Sequence, residues 1–373
     1  MNIIFNGVKG FIGKTDKSSD WGKHYINIVK GLAIFLMLWG HCIQYCIPSD
    51  IDFFENPVFK AIYSFHMPLF MLISGYLFYF SSIKRELKEL LIHRCKGLMQ
   101  TIIMGGIFVY YATTGVYAVI QGDCAALVNG KWLYSLSEIW FIWSILGASI
   151  VLGFICKKVN KWYMQVLLLC LGGIFVCLLP NWQNNLYMYP YYVVGYYFAK
   201  YHNFILRKIG LLKYASLIVF PLLLLFYGKE HYIYTTGIFN DSLTLHQCVA
   251  INIFRWLIGF AGSCFVLISV WVIYNFTIRK KEKLTFVLMS MDWLGTKSLQ
   301  IYVLSIIFLS SYFPVCYSKV VSFFPYIEDF WKNHMFVYNY IFTFILAIIY
   351  AIGLSFVVKM LEKFKISKII FGR

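Results

Sequence analysis

Ile26-Asn27-Ile28-Val29-Lys30-Gly31-Leu32-Ala33-Ile34-Phe35-Leu36-Met37-Leu38-Trp39-Gly40-His41-Cys42-Ile43-Gln44-Tyr45-Cys46-Ile47 decides the fold. At 1.5 Å per residue this stretch is long enough to cross a hydrocarbon core of about 30 Å as a helix. Pro48 and the acidic residues Asp50, Asp52 and Glu55 read as a short turn, and a second apolar span follows from about Val58 to Phe80. The two spans form a hairpin. Its first arm carries Lys30 and His41, and its second carries Ser64-Phe65-His66-Met67-Pro68.

Eleven positions separate Lys30 from His41, so on a helix they share nearly one face about 16 Å apart along the axis. His66 lies about as far from the turn as His41 does, which predicts two imidazoles at similar depth. An ionisable group inside a membrane is costly and faces protein or a water-filled cavity. Each residue also has a bland reading. A lone membrane histidine is often a satisfied core group, His66 could cap or pack the helix start, and Lys30 could snorkel to the interface. The combination is what singles them out.

Outward from the hairpin, the chain of 373 residues is 60% hydrophobic and only 13% charged, against about 25% in soluble domains. It reads as an all-α polytopic membrane protein. Further spans are expected at about 98–120, 138–156, 163–179, 186–199, 211–227, 248–278, 298–316 and 337–358, ten with the hairpin. Ten spans put both termini on one side, and 27 of the 33 Lys and Arg residues then fall on that side. By the positive-inside rule both termini are expected in the cytoplasm. The division is a tail at 1–25, a membrane domain at 26–358 and a second tail at 359–373. The formal charge of +17 is explained by this asymmetry rather than by nucleic acid. Residues 1–25 lack the pattern of a signal peptide, and the ten cysteines show no metal-ligand or CxxC spacing. No metal is expected.

Together, Ile28-Val29-Lys30-Gly31-Leu32-Ala33-Ile34, Trp39-Gly40-His41, Ser64-Phe65-His66-Met67-Pro68-Leu69-Phe70 and Ile73-Ser74-Gly75-Tyr76-Leu77-Phe78 resemble the opening hairpin of acyltransferase family 3, the integral-membrane O-acyltransferases. In that family a basic residue, ten intervening residues and a histidine mark the first helix, which maps here to Lys30 and His41. Many members have arginine where this chain has Lys30; the charge is kept, the bidentate fork is not. The resemblance implies a cytosolic acyl-CoA donor, most simply acetyl-CoA, and a hydroxyl acceptor on an extracytoplasmic glycan. It implies that His41 is essential to transfer, as general base or transient acyl carrier, and the helix spacing would let Lys30 hold the polar arm of a long donor lying along the same face. Gly295-Thr296-Lys297-Ser298-Leu299-Gln300-Ile301-Tyr302 also resembles the family's entry into its ninth span, but Val303-Leu304-Ser305 stands where many members have a histidine.

Arg255 is expected at a depth comparable to the histidines, where it needs a partner, and Glu138, at the outer end of its span, is the nearest candidate in depth. One reading has Glu138 orienting an imidazole or holding the sugar while Arg255 stabilises charge on the thioester oxygen; the other makes them a mutual ion pair. Arg94 and Lys96 either meet the donor's phosphates or are ordinary topogenic charge. The expected enzyme is an O-acetyltransferase of the cell membrane, and a homo-oligomer is compatible with the sequence. Its rivals are a transporter or export component lined by the same residues, and a catalytically silent scaffold for glycan assembly.

Overall fold

The structure is a computed structural model and describes residues 16–48, 51–121, 132–209, 214–281 and 284–372. Helix α1 (Asp16–Cys46) and α2 (Pro57–Tyr63) flank the hairpin turn, and α3 (His66–Ile83) completes the second arm. There follow α4 (Leu87–Tyr110), α5 (Trp132–Glu138), α6 (Trp140–Lys158), α7 (Trp162–Val176), α8 (Trp182–Ile209), α9 (Ser216–Leu224), α10 (Leu245–Lys281), α11 (Phe286–Thr296) and α12 (Ser298–Ser305). The chain ends with α13 (Thr343–Lys363) and α14 (Ile366–Phe371). Among the described residues there is no β-strand.

Seven helical stretches among the described residues are long and apolar enough to cross a membrane: Gly22–Cys46, Pro57–Ile83, Leu87–Val119, Trp140–Lys158, Leu245–Thr277, Ser298–Phe323 and Met335–Lys363. They match seven of the ten expected spans. The other three also fall on helices, but α7 and α9 have only 15 and 9 residues, about 22 and 14 Å at the helical rise. The third, α8, has a tyrosine-rich middle between polar ends, with Gln183, Asn184 and Asn185 at one and Lys200, His202 and Asn203 towards the other. Apolar side chains also cover the outside, with Ile253, Leu257, Ile349, Ile352 and Phe356 all at least half exposed. Apolar residues on both faces are the pattern of helices surrounded by lipid.

Two reciprocal glycine crossings clamp the hairpin. A Cβ added to Gly31 would sit 1.8 Å from the Met291 carbonyl oxygen, and one on Gly295 would sit 1.8 Å from that of Asn27. Likewise, a Cβ on Gly75 would lie 2.0 Å from the Tyr192 oxygen and one on Gly195 2.0 Å from that of Leu72. Only glycine lets these backbones approach, as small residues do at membrane helix interfaces. The first pair locks α1 to α11 and the second locks α3 to α8. Gly195 and Pro190 sit within the part of α8 packed on the hairpin, and the helix kinks farther on at Tyr201, its one residue with non-helical backbone angles.

Both segments named as tails contain helix among the described residues. Helix α1 begins at Asp16, ten residues before Ile26, so the remainder of the 1–25 tail, residues 1–15, lies outside the described residues. At the other end α14 packs back on the protein. Ser367, Ile370 and Phe371 are buried, and Gln100 Nε2 donates to the carbonyls of Lys368 (3.2 Å) and Ile369 (2.8 Å). Asp50, counted in the acidic turn, and Lys131, Lys213, Lys283 and Arg373, counted in the charge distribution, also lie outside the described residues.

Candidate active site

The second arm of the hairpin is broken at Ser64-Phe65. Helix α2 starts at Asn56, whose Oδ1 accepts from the backbone N–H groups of Val58 (2.9 Å) and Phe59 (3.1 Å), with Pro57 at the first helical position where its missing N–H is harmless. It stops after Tyr63, and Ser64 Oγ turns back to donate to the Ala61 carbonyl at 2.8 Å. Helix α3 then begins at His66, with Pro68 still in its first turn. At the break the Ile62 carbonyl accepts from the Phe65 N–H at 3.3 Å, three residues on, and from His66 Nδ1 at 2.9 Å. A carbonyl can only accept, so Nδ1 of this buried imidazole carries the proton.

His41 is partly buried on the facing helix. Its Nδ1 lies 3.2 Å from Gln44 Oε1 and 3.2 Å from the Tyr63 hydroxyl. Its ring stacks on Tyr45 with centroids 5.7 Å apart and planes within 10°. Tyr63 reaches it because position 40 is glycine: a Cβ there would lie 2.5 Å from the tyrosine ring. The His66 ring is 4.7 Å from the same tyrosine. The expectation of two imidazoles at one depth thus takes a specific form, with Tyr63 between them.

Beside Tyr63 and His66 is a cavity of about 20 Å³, also lined by Met67, Tyr187, Tyr227, His231 and Tyr232, with room for roughly one water molecule. The loop that closes it runs from Gly228 to Ile238 and is tied to the hairpin turn. Lys229 pairs with Asp52, holding that carboxyl below the usual carboxylate range. The Tyr232 hydroxyl donates to the Phe54 carbonyl at 3.2 Å. Burial holds the His231 imidazole below its ordinary value, against the opposing pull of Glu230.

Arg255 organises this loop. It is 1% exposed, and all three of its guanidinium nitrogens are engaged. Nε donates to the His231 carbonyl (2.8 Å), Nη1 to the Gly237 carbonyl and Asn252 Oδ1 (2.9 Å), and Nη2 to the carbonyls of Glu230 (2.8 Å) and Tyr232 (3.0 Å) and to Thr236 Oγ1. Among the described residues no ion pair joins Arg255 to Glu138. Loop carbonyls, not a carboxylate, satisfy the buried cation. Glu138 is exposed at the end of α5, one residue before α6, and hydrogen-bonds neither imidazole among the described residues.

At the far end of the hairpin, Lys30 is partly buried beside the Gly31–Met291 crossing, and His24 Nδ1 lies 3.0 Å from Asp292 Oδ2. The Arg94 guanidinium sits over the Phe78 ring at 5.0 Å, whereas Lys96 is exposed. The structure therefore groups His41 with His66 and leaves Lys30, Arg94 and Lys96 apart from them, Lys30 three turns earlier at the middle of α1 and Arg94 on Phe78, twelve residues beyond His66. A family model for an acyltransferase domain matches residues 23–360. The chain belongs to acyltransferase family 3. This family 3 acyltransferase is a multi-pass membrane protein. It is similar to the nodulation protein NolL of Sinorhizobium fredii, 29% identical over 64% of this chain and 64% of that protein. It is also similar to NolL of Mesorhizobium japonicum, 27% identical over 59% of each. These matches therefore span less than two thirds of either relative. No solved structure matches the chain.

Several residues of this cluster escape a reading of sequence. Gln44 carries a signal, being the polar residue one turn after His41 on the same helix face. Tyr63 and His231 carry little, because their place depends on a helix break and on a loop folding over from distant sequence.

Proposed function

We propose that this protein is a membrane O-acetyltransferase that moves an acetyl group from cytosolic acetyl-CoA to a hydroxyl of an extracytoplasmic glycan. The observation that carries the reading is the setting of His41. In a mostly apolar span it is partly open and held at Nδ1 by the side chains of Gln44 and Tyr63 rather than sealed into the core. Such an imidazole can act as a general base near neutral pH.

In the proposed reaction His41 Nε2 takes the acceptor hydroxyl proton as that oxygen attacks the thioester carbonyl. The new C–O bond forms, the C–S bond breaks, and the proton passes from His41 to the departing thiolate of coenzyme A. Lys30, about 16 Å along the same helix face, is assigned to the polar arm of the donor, and Arg94 and Lys96 to its phosphates on the same side. This assignment rests on both termini lying in the cytoplasm, as the distribution of Lys and Arg favours. His66 is assigned to the acceptor side of the chamber and Glu138 to its outer rim. Arg255 is reassigned from the donor to the loop that closes the cavity, since its N–H groups are already used there.

Membrane vesicles supplied with radiolabelled acetyl-CoA test the reading. Label should enter the glycan fraction with the wild-type chain and fall to background with His41→Ala at matched membrane levels. Equal labelling by the two would overturn the assignment of the base, and no labelling by either would overturn the assignment of donor and acceptor.

A further inference from the structure

His41 Nδ1, Gln44 Oε1 and the Tyr63 hydroxyl form a closed triangle with sides of 3.2, 3.5 and 3.2 Å. Gln44 is one turn beyond His41 on α1, and a helical side chain leans towards the N-terminus, so it reaches back to the imidazole. Tyr63 comes from the other arm. It is stacked on Phe59 with ring centroids 3.9 Å apart and planes 20° apart, and it passes over Gly40, where a Cβ would collide with it. The three groups belong to two helices whose close approach is set by that glycine.

Resting on the reading of His41 as the base, we propose that Gln44 and Tyr63 are positioning residues that hold His41 with its proton on Nδ1, so that Nε2 presents the lone pair. An amide oxygen can only accept. With Oε1 facing both partners, the ring N–H donates into the triangle and the tyrosine O–H donates to Oε1. A bare Nδ1 would instead set its lone pair against that of Oε1 at 3.2 Å. The arrangement does for His41 what the Ile62 carbonyl does for His66. Here the orienting groups are replaceable side chains, so the inference can be tested without touching the backbone. It also gives the Trp39-Gly40-His41 sequence a second function, because glycine at position 40 is the condition for Tyr63 to reach the imidazole.

The test measures initial rates of label transfer from acetyl-CoA into the glycan fraction, with acetyl-CoA titrated, in vesicles carrying the full chain. The variants are Tyr63→Phe, Gln44→Leu, Gln44→Glu and His41→Ala, each checked for membrane level and for its elution position in detergent. Tyr63→Phe and Gln44→Leu should each lower kcat about 10- to 100-fold, part of the 10²–10⁴ contributed by a positioned base, with KM for acetyl-CoA unchanged. Gln44→Glu, which offers acceptors only, should stay within about threefold of wild type, since an acceptor is all that the tautomer requires. Wild-type rates in both Tyr63→Phe and Gln44→Leu would overturn the proposal. So would a loss confined to KM, or a loss in Gln44→Glu equal to that in Gln44→Leu, which would make Gln44 a donor. Inactive His41→Ala alongside any of these results leaves the base in place and removes only its orienting pair. Active His41→Ala removes both.

Discussion

The two arms of the hairpin each bring an imidazole to Tyr63, and they hold it differently. His66 is 3% exposed and bonded to a backbone carbonyl at the helix break Ser64-Phe65. His41 is partly open and bonded to two side chains, one of them from the other arm. A group fixed by backbone is part of the framework, whereas a group fixed by side chains in a partly open setting is free to exchange a proton with a substrate. The difference separates two histidines that look equivalent in the sequence, and it orders the consequences of changing them.

The largest effect is expected from replacing each imidazole by asparagine, whose amide N–H stands near the position of Nδ1 but which offers no base. His41→Asn should lose transfer by at least about 10²-fold, the lower range for a positioned general base. His66→Asn should retain the bond to Ile62 and most of the activity, within about tenfold. Rates of acetyl transfer at equal protein level decide between them. Comparable losses in both would erase the distinction and make His66 a second participant in proton transfer.

Next comes Arg255, which holds together the loop lining the cavity beside Tyr63 and His66. Arg255→Met should destabilise the protein by a few kcal/mol, because the carbonyls of Glu230, His231, Tyr232 and Gly237 lose their donor and each buried acceptor left unsatisfied costs about 1–3 kcal/mol. Thermal unfolding in detergent reads this directly. A near-normal melting temperature with lost activity would return Arg255 to the chemistry.

The smallest effect is at the tie between loop and turn. Asp52 and Lys229 are partly exposed, 35% and 54%, so their pair contributes at most about 1 kcal/mol. The pairing lowers the Asp52 carboxyl, so its contribution is complete above the ordinary carboxylate value and is lost as pH falls through the lowered one. Unfolding of Asp52→Asn and wild type compared from pH 7 down to acid should show a small gap that closes on acidification. A gap that widens there would mean that the carboxylate opposes folding.

How much of this is legible in sequence follows from which interactions are local. Hydropathy runs mark the hairpin within a few residues, because crossing lipid demands a continuous apolar helix. They also mark His41 and Lys30, because a charge-bearing side chain interrupts such a run. The motif glycines 31, 75 and 295 are visible as a pattern, yet their work is a pair of backbone crossings whose partners, Met291, Tyr192 and Asn27, are distant in sequence. Arg255 looks like a residue in need of a carboxylate, and Glu138 suits it by depth. Its actual partners are carbonyl oxygens, which every residue possesses and no sequence pattern displays. The difference in span number has a similar origin: α7, α8 and α9 fall on expected segments but are too short or too polar for crossing to follow from length and composition.

The central claim is that His41 is the base of an acetyl transfer to a glycan. Its most direct test is the mass of the surface polysaccharide repeat unit in a deletion strain restored with the wild-type chain or with His41→Ala, at matched membrane levels. An acetyl-sized increment present with the wild type and absent with the variant is the expected result. Equal repeat masses, with a change only in how much polysaccharide reaches the surface, would contradict the account and point to export instead.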